Sequence, residues 1–251
     1  MSDATVRPGA EPVSHEGDRR GVLVVHGFTG SPGTMRPVTD ALVAAGFSVE
    51  VPRLAGHGTT VDDMLTTGWA DWSRDAQAAL DRLRERTDRQ AVVGLSMGGT
   101  LTAWLAARDD VAGAVFVNPL VRGADPALRS LIEEMVAAGE TVAPGVGSDI
   151  ADPDAHEDAY DGSPLVPLLT LLDAVEELQP RLGDITCPVL IMTSPQDHVV
   201  EPVSSDHLAE RVSGPVERVT LDRSFHVATL DFDRALVCER TVAFCEKVLA
   251  G

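Results

Sequence analysis

Short β-branched runs alternate with stretches of helical spacing along most of the chain. Residues 21–28, GVLVVHGF, are apolar almost throughout, the pattern of a strand covered on both faces. Residues 34–46 then show helical spacing and stop at Gly46. A strand at 47–53 follows, and next a helix at 70–88 with Trp72, Ala76, Leu80 and Leu83 along one stripe. The spacing next predicts a strand at 90–96, a helix at 97–110 and a strand at 111–121. The rhythm resumes with a strand at 188–194, a helix at 204–213, a strand at 216–222 and a helix at 233–250. Strands separated by helices imply right-handed βαβ units, hence an α/β fold with a mostly parallel sheet flanked by helices.

Residues 122–180 interrupt that rhythm without a clear strand. A structureless span of that length does not fit inside a compact domain. We therefore expect a core of residues 1–121 and 181–251, with 122–180 inserted as a cap over the carboxyl ends of the strands. The polar N-terminal stretch has no apolar segment of a secretory signal, and its first dozen residues are expected to form a loose tail.

Charge narrows the partners. The 39 acidic residues against 20 basic ones give a net charge of −19, which argues against nucleic acid or anionic membrane as a main partner. No apolar run approaches the ~18 residues of a membrane span, so stable membrane insertion is not expected. Cys187, Cys238 and Cys245 show no C-x-x-C spacing, which fits a reducing cytoplasm with neither a disulfide nor a metal site. Catalysis, if present, is expected to need no metal and no cofactor.

The candidate chemistry centres on GLSMGG, residues 94–99. The pentapeptide G-x-S-x-G is short enough to arise by chance, so its surroundings decide its meaning. Ser96 falls where a predicted strand ends and a helix begins, the setting of a nucleophile elbow. Gly94 and Gly98 would remove side chains that collide in so sharp a turn. The competing reading is a Gly-rich turn with an incidental serine.

An elbow serine needs a base and an acid later in the chain. His15, His26, His57, His156 and His207 lie in the tail, in loops, in the cap or on a helix face, which leaves His198 and His226. His226 follows the last predicted strand and Asp197 the one before it, so both arrive at the edge that Ser96 faces. Asp222 and His198 are poorer partners, since each lies too close in sequence to the group it would have to meet. Asp197 as a helix cap and His226 as an ordinary loop histidine are the plain alternatives. For an oxyanion hole, the N–H of Met97 and the N–H of Phe28, in the loop HGFTGSPG, are the expected donors.

Together VLVVHGFTGSP, PRLAGHG, DWSRD, GLSMGG, DHVVEP and SFHVATLD resemble the α/β-hydrolase superfamily, and within it the small bacterial carboxylesterases and monoacylglycerol lipases. GVGSDI and EDAY resemble the monoacylglycerol lipase branch. The resemblance implies Ser96, Asp197 and His226 as triad and Phe28 and Met97 as oxyanion donors. It further implies that Glu157 hydrogen-bonds a hydroxyl of the glycerol leaving group and that Val146 lines the entrance. Read by itself, Glu157 in its acidic run is equally a solvated charge. The expected partner is a small ester or lipid, cleaved through an acyl-enzyme, with monoacylglycerol favoured. A general carboxylesterase or thioesterase and a catalytically silent ligand-binding protein of the same fold are the alternatives.

Overall fold

The computed structural model describes residues 4–145 and 147–250. In chain order its strands are β1 (Val13–His15), β2 (Arg20–Val25), β3 (Ser48–Val51), β4 (Arg89–Leu95), β5 (Gly113–Val117), β6 (Val142–Pro144), β7 (Gly162–Pro164), β8 (Val189–Thr193) and β9 (Val216–Thr220). The α-helices are α1 (Arg36–Ala44), α2 (Val61–Met64), α3 (Trp69–Arg84), α4 (Met97–Ala106), α5 (Pro126–Ala137), α6 (Leu165–Leu178), α7 (Val203–Arg211) and α8 (Arg234–Leu249).

Seven strands form one sheet in the order β1-β3-β2-β4-β5-β8-β9. All its pairings are parallel except β1 against β3. The pleat explains the unbroken apolar runs. Leu23, Val25, Val92 and Phe116 pack on one face with Trp72, Leu80 and Leu101 of α3 and α4. Val22, Val24, Val93 and Val115 pack on the other with Val38 and Leu42 of α1 and Phe244 and Val248 of α8. Burial of each such Val, Leu or Phe side chain contributes about 1.5–3 kcal/mol.

The chain moves outward from β2 to β3 and then returns to β4 on the other side of β2. That reversal sits at the carboxyl ends of β2 and β4, the place where a crevice binds ligands in sheets of this type. The loop after β2 carries Phe28, and β4 ends at Leu95, one residue before Ser96. At the opposite edge of the sheet, Lys247, the chain's one lysine, lies with Pro188 and Pro215 beside the amino ends of β8 and β9.

Residues between β5 and β8 supply α5, the antiparallel β6–β7 pair and α6. Ile132, Leu165 and Leu172 make a small core there, while Leu171, Val175 and Leu178 of α6 join the face formed by α3 and α4. No helix among the described residues is long and apolar enough to cross a membrane.

Two expectations change. From Arg7 on, the N-terminal stretch is anchored rather than loose: Arg7 donates its N–H to Gly58 O at 2.8 Å, Ala10 is buried and Val13–His15 pairs with β3. Backbone groups make most of these ties, so a polar stretch can hold this place. The strand expected over 111–121 ends at Val117, because Asn118 takes a φ of 43° and turns the chain.

Candidate active site

Ser96 sits between β4 and α4 with φ 56° and ψ −117°, a conformation that costs a non-glycine residue about 1–3 kcal/mol. The surrounding backbone holds it there. Its N–H donates to Val117 O at 3.1 Å, and its carbonyl accepts from Gly99 at 2.8 Å and Leu120 at 3.2 Å. The neighbouring glycines are required by close approach. A Cβ on Gly98 would lie 2.2 Å from Val25 O, and one on Gly94 would lie 2.0 Å from Gly98 O. Ser96 thus caps the N-terminus of a buried helix, where the backbone dipoles favour negative charge.

The expected acid and base meet. His226 Nδ1 lies 2.7 Å from Asp197 Oδ2, and both side chains are almost wholly buried. The other Asp197 oxygen accepts the N–H groups of Val199 and Val200, each at 2.8 Å. Asp197 therefore caps its own loop and holds the imidazole at once. That pairing orients Nδ1–H toward the carboxylate and leaves the ring's lone pair on Nε2. The two rivals stand outside this pair. His198 pairs with Asp149, Nδ1 to Oδ1 at 2.8 Å, and Asp222 is exposed.

Behind His226, the buried Asn118 donates to His226 O at 2.8 Å and accepts the N–H of Ser194 at 2.8 Å. The ends of β5 and β8 and the loop after β9 are thereby joined.

Opposite, the loop after β2 comes close to the serine: a Cβ on Gly27 would stand 3.4 Å from Ser96 Cβ. Thr29 in this loop has φ 63°. Met97 is buried and Phe28 half-buried, with the Phe28 ring edge-on to Trp72 at 5.8 Å. His26 and His57 underpin the loop. His26 Nδ1–H donates to Gly27 O at 2.9 Å and its Nε2 accepts from Leu54 N–H at 3.3 Å. Burial pulls His26 down to about 4, and pulls His57, which also faces His26, well below the ordinary histidine range.

Glu157 is half-buried beside this loop rather than free in solvent. Its Oε1 accepts the Thr34 hydroxyl at 2.8 Å. Burial pushes its carboxyl above the ordinary range, while the Thr34 hydroxyl and nearby His226 work in the opposite direction. Val146 lies outside the described residues. No group of three or more His, Cys, Asp or Glu among the described residues is disposed to hold a metal ion.

Sequence reasoning passed over several supports. Asp149 accepts the backbone N–H of both His198 and His226 at 3.1 Å. The fully buried Asp231 accepts the N–H groups of Ala151, Asp152, Phe225 and Phe232. Tyr160 Oη donates to Gly56 O at 2.7 Å and accepts the Thr59 N–H at 2.8 Å. The sequence signal available for Asn118 was a small polar residue before proline at a strand end.

The family model for serine aminopeptidase, S33, matches residues 17–233. The chain belongs to this α/β-hydrolase family. The hydrolase is 40% identical over 246 residues to the thermostable monoacylglycerol lipase of Bacillus sp. (strain H-257), covering 96% of each chain. It is 24% identical over 242 residues to a carboxylesterase of Bacillus subtilis (strain 168), covering 95% of this chain and 97% of the other. Among solved structures it matches one from work on LipS and LipT, two metagenome-derived lipolytic enzymes. That match has a TM-score of 0.92 and 39% identity, over 97% of this chain and 100% of that one. The hydrolase is a carboxylic ester hydrolase.

Proposed function

We propose that this hydrolase cleaves monoacylglycerols to glycerol and fatty acid through an acyl-enzyme on Ser96. The carrying observation is the buried Asp197–His226 pair at 2.7 Å, on the same sheet edge as a serine held in an elbow. Ser96 Oγ attacks the ester carbonyl while His226 Nε2 takes its proton. Asp197 holds the ring in the required tautomer and stabilises the imidazolium. The N–H groups of Phe28 and Met97 receive the oxyanion, a contribution of several kcal/mol in a dry site. His226 then returns the proton to the departing alkoxide, and water repeats the sequence on the acyl-enzyme.

Residues 122–180 act in this reading as the cap, with the Leu-rich α6 above the acyl chain. Glu157 is the acceptor for a glycerol hydroxyl, a role supported by its half-buried carboxylate beside the Phe28 loop. The three cysteines are free, and we infer a reducing, cytoplasmic setting.

A serine-directed phosphonate tests the nucleophile: wild type is labelled and Ser96→Ala is not. Persistent labelling of Ser96→Ala refutes the triad. Comparing Glu157→Leu on monoacylglycerols and on methyl esters tests the leaving-group role. Selective loss on the glycerol esters, about 10-fold or more, is expected from an unpaired substrate hydroxyl. Because Thr34 already donates to Glu157, a second reading is a general carboxylesterase in which Glu157 only anchors the Phe28 loop. Equal losses on both substrates would favour that reading.

A further inference from the structure

The acid and the base of the proposed triad sit on separate loops, and a single carboxylate from the interval between β5 and β8 holds both. Asp149 Oδ2 accepts the N–H of His226 at 3.1 Å and the N–H of His198, next to Asp197, at 3.1 Å. Its Oδ1 lies 2.8 Å from the His198 ring nitrogen Nδ1, and its own carbonyl accepts the Val227 N–H at 3.1 Å. The His198 ring is in turn fixed edge-on against Phe225 at 4.6 Å. The Asp149 side chain is only 11% exposed, so these bonds are little contested by water.

Residues 147–160 form a strap across the crevice side of the molecule. Ser148 Oγ accepts the Glu157 N–H at 3.1 Å, which closes the strap on itself. Asp231 holds the strap at Ala151 and Asp152, and Tyr160 pins its end to the loop at Gly56 and Thr59. One strap therefore carries both the proposed leaving-group acceptor, Glu157, and the residue that gathers the two triad loops.

We propose that Asp149 is a positioning residue that makes assembly of the Asp197–His226 pair depend on the seating of the 147–160 strap. The proposal rests on the triad reading above. With the strap seated, two N–H groups converge on one oxygen and fix the separation of the two loops. With Asp149 removed, Asn118 still ties the two loops where they leave the sheet, but the N–H groups of His226 and His198 lose their shared oxygen beside the 2.7 Å pair. Misplacement of a reacting group by about 1 Å costs on the order of 100-fold in rate.

The test compares Asp149→Asn and Asp149→Ala on a p-nitrophenyl ester. Asn keeps a carbonyl oxygen for both N–H groups and should stay within about threefold of wild type. Ala should lower kcat about 10- to 100-fold with KM changed less than about threefold. The far-downfield proton resonance of His226 Nδ1–H should persist in Asp149→Asn and weaken in Asp149→Ala. Wild-type kcat in Asp149→Ala overturns the proposal, and so do equal losses in both variants with the resonance intact. Should Asp149→Ala fail to fold, Asp149→Ser, whose hydroxyl is too short to span both N–H groups, is read by the same two criteria. Ser96→Ala separates the two claims: phosphonate labelling there would refute the triad, while the resonance reports on Asp149 independently of Ser96.

Discussion

The Asn118 side chain donates to the backbone carbonyl of His226 at 2.8 Å while its own backbone turns at φ 43°. Its amide also reaches Ser194 Oγ at 3.0 Å and Phe225 O at 3.3 Å, and its oxygen accepts the Ser194 N–H. Position 118 thus combines a left-handed backbone with four side-chain bonds in a buried place. Asn118→Ala should cost about 2–4 kcal/mol by urea denaturation and lower kcat, since buried partners lose their bonds and alanine resists the turn. Asn118→Gly should recover about 1 kcal/mol of that loss without recovering the rate. Equal stability of the two variants would remove backbone conformation from this account.

The elbow makes a similar prediction with the opposite sign. Ser96→Gly should abolish turnover and raise stability by about 1 kcal/mol, because glycine adopts φ 56° and ψ −117° without strain. Thermal unfolding of wild type, Ser96→Gly and Ser96→Ala measures this. Ser96→Ala keeps the Cβ and should gain little.

Stability should fall on mild acidification. The unfolded chain protonates His26 near 6.5, whereas the folded chain resists until about 4. The unfolded state therefore binds more protons in that window, and stability is full above about pH 6.5 and drains as pH drops toward 4. His26 alone contributes about 3 kcal/mol across the window. His57, shifted in the same direction, adds to it. His57→Phe should start less stable at neutral pH, having lost the bond to Ala55 O at 3.0 Å, but should decline less steeply. Urea midpoints at pH 7.5 and pH 5 for both proteins are the measurement, and parallel declines would contradict it.

Tyr160→Phe should loosen the strap specifically. It removes the Oη bonds to Gly56 O, the Thr59 N–H and the Thr59 hydroxyl from a side chain that is only 4% exposed, at a cost of about 1–3 kcal/mol. Limited proteolysis should cut within 147–160 faster than in wild type, with cleavage elsewhere unchanged. Uniformly faster cleavage would mean a global effect.

Much of this was legible in the chain. Runs such as Val22–Val25 read as a strand covered on both faces because both faces are covered. Ser96, Asp197 and His226 could be placed on one edge because each follows a strand of a parallel sheet. The supports were not legible for physical reasons. Asp231 and Asp149 earn their places by accepting backbone N–H groups, and in a segment dense with acids they look like their solvated neighbours. β1 was missed because Ser14 and His15 pair through the backbone, which leaves no apolar period.

The position of Lys247 has a practical consequence. Beside any terminal amine, this chain offers amine-directed reagents one side chain, at the amino ends of β8 and β9, while Ser96 opens at the carboxyl end of β4. Coupling through that lysine would tether every molecule to a support in one orientation, with its crevice turned toward the solution.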